Sequence, residues 1–356
     1  QRVPDIAYFS PEPDNVSNDE LLIMHAQEFH TSYWGHMGLI GLKSHLLVPD
    51  YSAYPETAAA SLYPDNVTIA RLAREQDAAV GYVHPFEPPA PDPQAAASLT
   101  NALPVDAALD LVDYYEVVGF ADPHTSAAVW YGLMNCGLKV AAAGGTDAMA
   151  NYASLRGPVG INRTYAHVPN VAADPALRQD QWLDALKSGR TLATNGPLLG
   201  LTVDGQAPGA TVEVNGSGRE VGFSGFLRSA VPIDHVELVF NGKVVRTFEP
   251  DESRTSVDLA GNVPVNESGW MLLRAWNDAA HPLIFDLYPY ATTSPVFISV
   301  DNEPPRSAED AEYFLGWIGR IRESVESHGD FNDDSERAAI LEHLQLAEQR
   351  FLSCRP

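Results

Sequence analysis

VGYVHPF, residues 80–86, is a short apolar run closed by a histidine and a proline. A run of this length bounded by turn signals reads as a buried strand, and Pro85 keeps the ladder from continuing past His84. VAAAGGTDAM, residues 140–149, repeats the arrangement, with Asp147 beyond a glycine pair. Upstream, QEFHTSYWGHMGLIG, residues 27–41, sets Glu28 at the end of the run LLIMHAQE and His36 at the head of HMGLIGL. Each time a metal-type ligand stands where the chain leaves or enters a strand. Side chains at the carboxyl ends of parallel strands are what an α/β fold uses to assemble a site. These stretches predict an α/β chain with Glu28, His36, His84 and Asp147 as candidate metal ligands.

The surrounding pattern agrees with that class. Strands are expected in LLIMHAQE, HMGLIGL, AAVGYVH, YYEVVGF and LKVAAAG, and helices over Asp65–Gln76, Ala107–Leu111, Thr125–Cys136 and Gln179–Ser188. Asp65 or Asn66 supplies an N-cap for the first helix. Strands separated by helices indicate βα units around a parallel sheet or barrel. After Asn195 helical periodicity stops, and short alternating strands with the hairpin pairs Asp204-Gly205 and Asn241-Gly242 predict a β-sandwich. Beyond Pro305 two amphipathic helices follow, Ala308–Ser327 and Asp334–Ser353, the first with Phe314, Trp317, Ile318 and Ile321 on one stripe. The expected domains are 1–195, 196–304 and 305–356.

Composition narrows the function. The chain has 356 residues, 45% of them hydrophobic, and carries a net charge of −25 from 22 basic and 47 acidic residues. No Lys/Arg cluster is present to neutralise phosphates, so nucleic acid is not an expected partner. No apolar run is long enough to span a bilayer, so no membrane partner is expected either. Cys136 and Cys354 are too few for a disulfide framework, and Cys136 reads as a buried small hydrophobe. The compartment stays open between cytoplasm, periplasm and exterior. The chain begins at Gln1 rather than a methionine, and a preceding segment is expected.

Each candidate ligand has an ordinary alternative. Taken alone, His84 reads more simply as a structural histidine at a strand end, and Asp147 as a helix cap. Glu28 has the firmer case, because a carboxylate ending an apolar strand costs several kcal/mol, roughly, unless a cation or hydrogen bonds offset it. His30 shares the face of Glu28 under strand period two and is a further candidate ligand, whereas His25 points away. Asp122 and His124, after YYEVVGF, are candidates for substrate positioning or proton transfer, and Asn151 and Arg156 for orienting a carbonyl. The proline-rich segment Phe86–Pro93 is expected over the mouth of the site. No nucleophile elbow, phosphate-cradling loop or dinucleotide fingerprint is present, which leaves a metal-activated water as the most economical nucleophile.

In this order, QEFHTSYWGHMGLIGL, VGYVHPF, GGTDAM and SGRTLATNGPLL resemble the polymerase-and-histidinol-phosphatase (PHP) metallohydrolases, most closely their carbaryl hydrolase branch. The resemblance extends through TNGPLLGLTVDG to AEYFLGWIGRIRE, nearly the whole chain. It implies a distorted (β/α)7-type barrel followed by a β-sandwich and C-terminal helices, with two or three divalent metals, Zn²⁺ first and Mn²⁺ or Fe²⁺ as alternatives. Glu28 matches the bridging glutamate, and His36, His84 and Asp147 match later ligands. The implied reaction is hydrolysis of a small carboxylic or carbamic (aryl) ester or amide; phosphoester hydrolysis and a non-catalytic role are the rival readings, and a homodimer is compatible. The family's opening His-x-His occurs nowhere in this sequence, and its closing Asp-x-His is Asp147-Ala148-Met149. The first strands of the barrel are therefore expected ahead of Gln1.

Overall fold

The computed structural model describes residues 9–48, 52–95, 98–149, 157–216, 218–327 and 330–356. Its first sheet is built from β1 (Ala26–Phe29), β2 (Met37–Ile40), β3 (Ala79–Tyr82), β4 (Tyr114–Val118) and β5 (Ala141–Gly144), in that spatial order. Helices α1 (Asn66–Glu75), α2 (Leu103–Ala108) and α3 (Pro123–Asn135) lie between them in the chain. Asp65 and Asp122 cap α1 and α3 by accepting from Thr68 N and Thr125 N, and Pro123 starts α3 where its missing N–H costs nothing. The second helix starts at Leu103, ahead of the expected Ala107, with Pro104 fixing its first turn.

This sheet is mixed rather than parallel. β3, β4 and β5 run parallel, but β2 is antiparallel to both β1 and β3. Parallel pairing needs a crossover of about a dozen residues or more, and the link 30–36 is too short to provide it. Nor does any sheet among the described residues close into a barrel. The outer edge of β5 meets hydroxyls instead of another strand. Ala142 N donates to Ser294 Oγ at 2.8 Å, and Thr191 Oγ1 donates to Ala142 O at 2.7 Å. Thr164 Oγ1 takes the Gly144 amide at 2.8 Å and lies 3.0 Å from the Gly144 carbonyl. With its edge groups satisfied this way, β5 presents no ladder for a next strand. The expected (β/α)7 barrel thus reduces to an open five-stranded sheet in a mixed α/β fold.

Those hydroxyls come from the second half. β6 (Arg163–Ala166), α4 (Pro175–Lys187) and β7 (Thr191–Thr194) precede β8 (Leu198–Val203), β9 (Thr211–Val214), β10 (Arg219–Arg228), β11 (His235–Phe240), β12 (Lys243–Thr247), β13 (Ser256–Val265), β14 (Gly269–Trp276), β15 (Tyr290–Thr293) and β16 (Val296–Val300). One sheet runs β13-β10-β8; the other runs β12-β11-β14-β15-β7-β6, with β16 joining β14 to β9. Val203, Val221, Leu227 and Val263 of the first sheet share a core with Leu238, Met271, Ala291 and Val296 of the second. β6 and β7 lie before residue 195 yet belong to this larger sheet. The β11–β12 hairpin turns at Asn241-Gly242, both with positive φ (47° and 78°), as its two-residue loop requires.

α5 (Ala308–Ser327) and α6 (Asp334–Leu352) close the α/β half. Phe314, Trp317, Ile318 and Ile321 are fully buried in one core with residues of α1, α2 and β3. His343 on α6 makes a buried polar tie: its Nδ1 is 2.7 Å from Asp65 Oδ2 and its Nε2 is 3.0 Å from Arg71 Nη1. Arginine only donates, so Nε2 accepts and Nδ1 holds the proton. The segment after His84 does not hang free. Phe86 packs edge-on against Trp317 at 5.5 Å, and Tyr313 Oη donates to Pro91 O at 2.7 Å. Cys136 and Cys354 are both buried free thiols. No helix among the described residues is long and apolar enough to cross a membrane.

Candidate metal centre

β1 alternates in burial, with Gln27 and Phe29 turned inward and Glu28 on the other face. Glu28 therefore does not enter a core as its apolar flank suggested; 39% of its side chain is exposed. His36 stands just ahead of β2, His84 two residues past β3, and Asp147 three past β5. The last two have positive φ, 33° and 52°. Left-handed backbone is uncommon for residues with a Cβ, and such positions gather at sites whose surroundings hold them there.

Glu28, His36 and His84 bring ligand atoms within 4.8 Å of one another. His36 Nδ1 is 3.0 Å from Glu28 Oε1, and His84 Nε2 is 3.1 Å from the same oxygen. His36 Nδ1 is buried and, despite that short distance, has no hydrogen-bond partner at an acceptable angle. Two ligands about 2.1 Å from one cation lie about 3.0 Å apart at an octahedral right angle and about 3.4 Å apart at the tetrahedral angle. The buried nitrogen without a well-angled partner and the oxygen shared by two imidazoles are compatible with a common ion. Neutral imidazole with carboxylate suits Zn²⁺, Mn²⁺ or Fe²⁺. Asp147 is next to the trio, its Oδ2 3.9 Å from His84 Nε2.

The charges of the centre are tuned by its own members. Burial raises the Glu28 carboxyl, but the adjacent imidazoles of His36 and His84 outweigh it and hold the group well below the usual carboxylate range. Burial pulls the His84 imidazole down, but Glu28, backed by Glu116 and Asp147, holds it above its ordinary value. His30 is lowered by burial and by His36. Its ring lies 3.9 Å from that of His36 and its Nδ1 3.3 Å from Tyr54 Oη, beside the trio rather than within it.

Glu116, in the middle of β4, is the residue that sequence reasoning missed. Its Oε2 accepts the His84 amide at 2.8 Å, fixing the backbone of a ligand. Burial pushes its carboxyl up to about 7, and the amide bond offsets this only in part. The signal was a lone carboxylate inside the apolar strand YYEVVGF. A group raised in the folded state stabilises it fully below its unfolded value, near 4.5, and that contribution is lost as pH rises through about 7. His84, also raised, acts in the same direction above its ordinary value. The metal-free protein is expected to lose on the order of 2 kcal/mol between pH 5 and 8 through Glu116, and Glu116→Gln to remove most of that slope. Added Zn²⁺ should reverse the slope, because its ligands must be deprotonated. Unfolding midpoints across pH, with and without chelator, measure this; identical slopes for wild type and Glu116→Gln would refute it.

Asp122 and His124 have other partners. Asp122 caps α3, and His124 sits edge-on against Trp276 and Tyr290 at 4.9 and 5.2 Å. Both line a cavity of about 380 Å³ between the end of β4 and the sandwich, with Asn162, Asn195 and Tyr288. Asn162 Nδ2 donates to Gly119 O at 3.1 Å, and Gly119 also lies near the Glu116 carboxylate, but Glu28, His36, His84 and Asp147 do not line this cavity. His25 takes the Ser10 amide at 2.7 Å. Asn151 and Arg156 lie outside the described residues. No family model matches the chain, and no curated protein or solved structure matches it either.

Proposed function

We propose that this protein is a metal-dependent hydrolase of carboxylic or carbamic esters or amides, of the PHP type, and that Glu28, His36 and His84 hold its cation with Asp147 alongside. The observation that carries the reading is the convergence of two imidazoles and a carboxylate, far apart in sequence, with one buried nitrogen lacking a hydrogen bond. The open sheet β1–β5 is read as the barrel-like part, since Glu28 lies in β1, His36 precedes β2, and His84 and Asp147 follow β3 and β5. A divalent ion such as Zn²⁺ supplies Lewis acidity toward a carbonyl and acidifies water at neutral pH. Glu28 and the imidazoles orient it, and Glu116 fixes the backbone of His84. The cavity beside Gly119 would take the organic part of the substrate. There His124, whose basicity burial reduces, offers a neutral imidazole for proton transfer, and Asp122 sets the start of α3.

The test is a Zn²⁺-loaded preparation assayed against aryl esters, aryl carbamates and aryl phosphates. Turnover of the carbonyl substrates, lost on chelation and regained with metal, is the expected result. Exclusive turnover of phosphates would move the reading to a phosphoesterase, and fewer than about one tightly bound divalent ion per chain would overturn it.

A further inference from the structure

The register of the first sheet places one more side chain against the metal centre. Glu28 pairs with Gly38, Gly38 with Gly81, and Gly81 with Tyr114, strand by strand from β1 to β4. Residues directly opposite one another project from the same face of a sheet. Tyr114 therefore shares the face of Glu28, with only two glycines between them. The glycines are what admit its ring. A Cβ on Gly81 would lie 2.4–2.5 Å from three carbons of the Tyr114 ring, and one on Gly38 would lie 2.1 Å from Tyr114 Oη. The ring thus crosses β3 and sets its hydroxyl over β2, aimed at β1. Paired Cβ positions on neighbouring antiparallel strands are about 4.5–5.5 Å apart, so the hydroxyl ends about that far from the root of the Glu28 side chain.

The remaining observations fit a donor in this place. Tyr114 is 3% exposed, held by Leu183 and Leu186 of α4. Its hydroxyl takes part in none of the side-chain hydrogen bonds among the described residues. Glu28 uses Oε1 toward both His36 and His84, which leaves Oε2 for another partner. Burial, with the nearby carboxylates, keeps the phenol well above its ordinary pKa and so in its donating form.

Resting on the metal-centre reading above, we propose that Tyr114 is a positioning residue whose hydroxyl donates to Glu28 Oε2, directly or through one water, and so holds Oε1 toward the ion. Carboxylate ligands that accept such an outer bond are fixed in orientation, and losing the partner costs about 10–100-fold in metal affinity.

Tyr114→Phe in the full chain tests this, because it keeps the ring that fills the glycine trough and removes only the hydroxyl. Zn²⁺ affinity is measured by competition with a chromophoric chelator, and metal-free stability by thermal unfolding. The expected result is a Kd weakened about 10–100-fold with the metal-free Tm nearly unchanged. In a Glu28→Gln background the same change should have no further effect. An unchanged Kd in Tyr114→Phe, or an equal loss whether or not Glu28 is present, overturns the proposal while leaving the metal centre standing. Should the metal-free Tm fall by many degrees, the comparison in the Glu28→Gln background still decides. Wild-type protein that binds no Zn²⁺ would overturn the metal centre itself, and this role with it.

Discussion

Glu28→Gln is expected to weaken divalent-cation binding by more than about 100-fold, a larger loss than removing an outer partner of a ligand produces. The oxygen Oε1 is the one atom common to both imidazole approaches, 3.0 Å from His36 Nδ1 and 3.1 Å from His84 Nε2. A neutral amide keeps the shape of the carboxylate but removes the charge that offsets the ion and that raises His84. The barrier for turnover that depends on the ion should rise by about 4 kcal/mol, a loss of about 10³-fold in rate. The fold should survive. Glu28 is half-exposed, and its ion pairs in the metal-free protein are screened by solvent, so metal-free stability should change by less than about 1 kcal/mol. Inductively coupled plasma analysis of the purified variant, beside urea unfolding of the chelated protein, measures both halves. Wild-type metal content in Glu28→Gln would remove Glu28 from the centre.

Trp317→Ala carries the largest expected loss of stability. The indole is fully buried between α5 and the segment that follows His84, with Phe86 edge-on at 5.5 Å and Tyr313 at 5.8 Å. Its Nε1 donates to Asn101 O at 2.9 Å, so truncation also strips a partner from that carbonyl. Replacing a buried tryptophan by alanine costs about 3–5 kcal/mol through lost transfer energy and the cavity left behind, and the stranded carbonyl adds about 1 kcal/mol. The effect should reach the metal centre. Phe86 lies two residues beyond His84, whose left-handed backbone persists only while its surroundings hold it. Urea unfolding followed by circular dichroism should show the loss, and Zn²⁺ affinity should fall with it. A destabilisation below about 1 kcal/mol would mean that α5 is not part of the cooperative unit containing β3.

What could be read along the chain was local. Asp65 announces α1 because an aspartate ahead of an amphipathic run can accept from the third residue on, and it does so at Thr68 N. Asn241-Gly242 announces the β11–β12 turn because both positions need positive φ. The stripe Phe314, Trp317, Ile318 and Ile321 announces the buried side of α5 by its spacing alone. Glu28, His36 and His84 were nameable for a similar reason: a polar residue that ends or opens an apolar run stands at a strand end, whatever the run packs against. His30, singled out by period two, arrives next to His36 but against Tyr54 Oη. Glu116 escaped because a single carboxylate inside YYEVVGF looks the same whether it faces water or the amide of His84, thirty-two positions away.

The sequence by itself located most of the strands and helices, though not their first residues, since β1 starts at Ala26 within LLIMHAQE and α2 at Leu103, and it named several of the residues that cap and turn them. Only the tertiary structure decided that β2 runs against its neighbours, that Glu28 stays partly exposed, that Tyr114 reaches across two glycines, and that β5 ends the sheet against Thr164, Thr191 and Ser294. The division has a physical cause. Caps, turns and periodicity are set by groups a few bonds apart, whereas strand direction, burial of a carboxylate and the satisfaction of an edge depend on partners that only folding brings within hydrogen-bond distance.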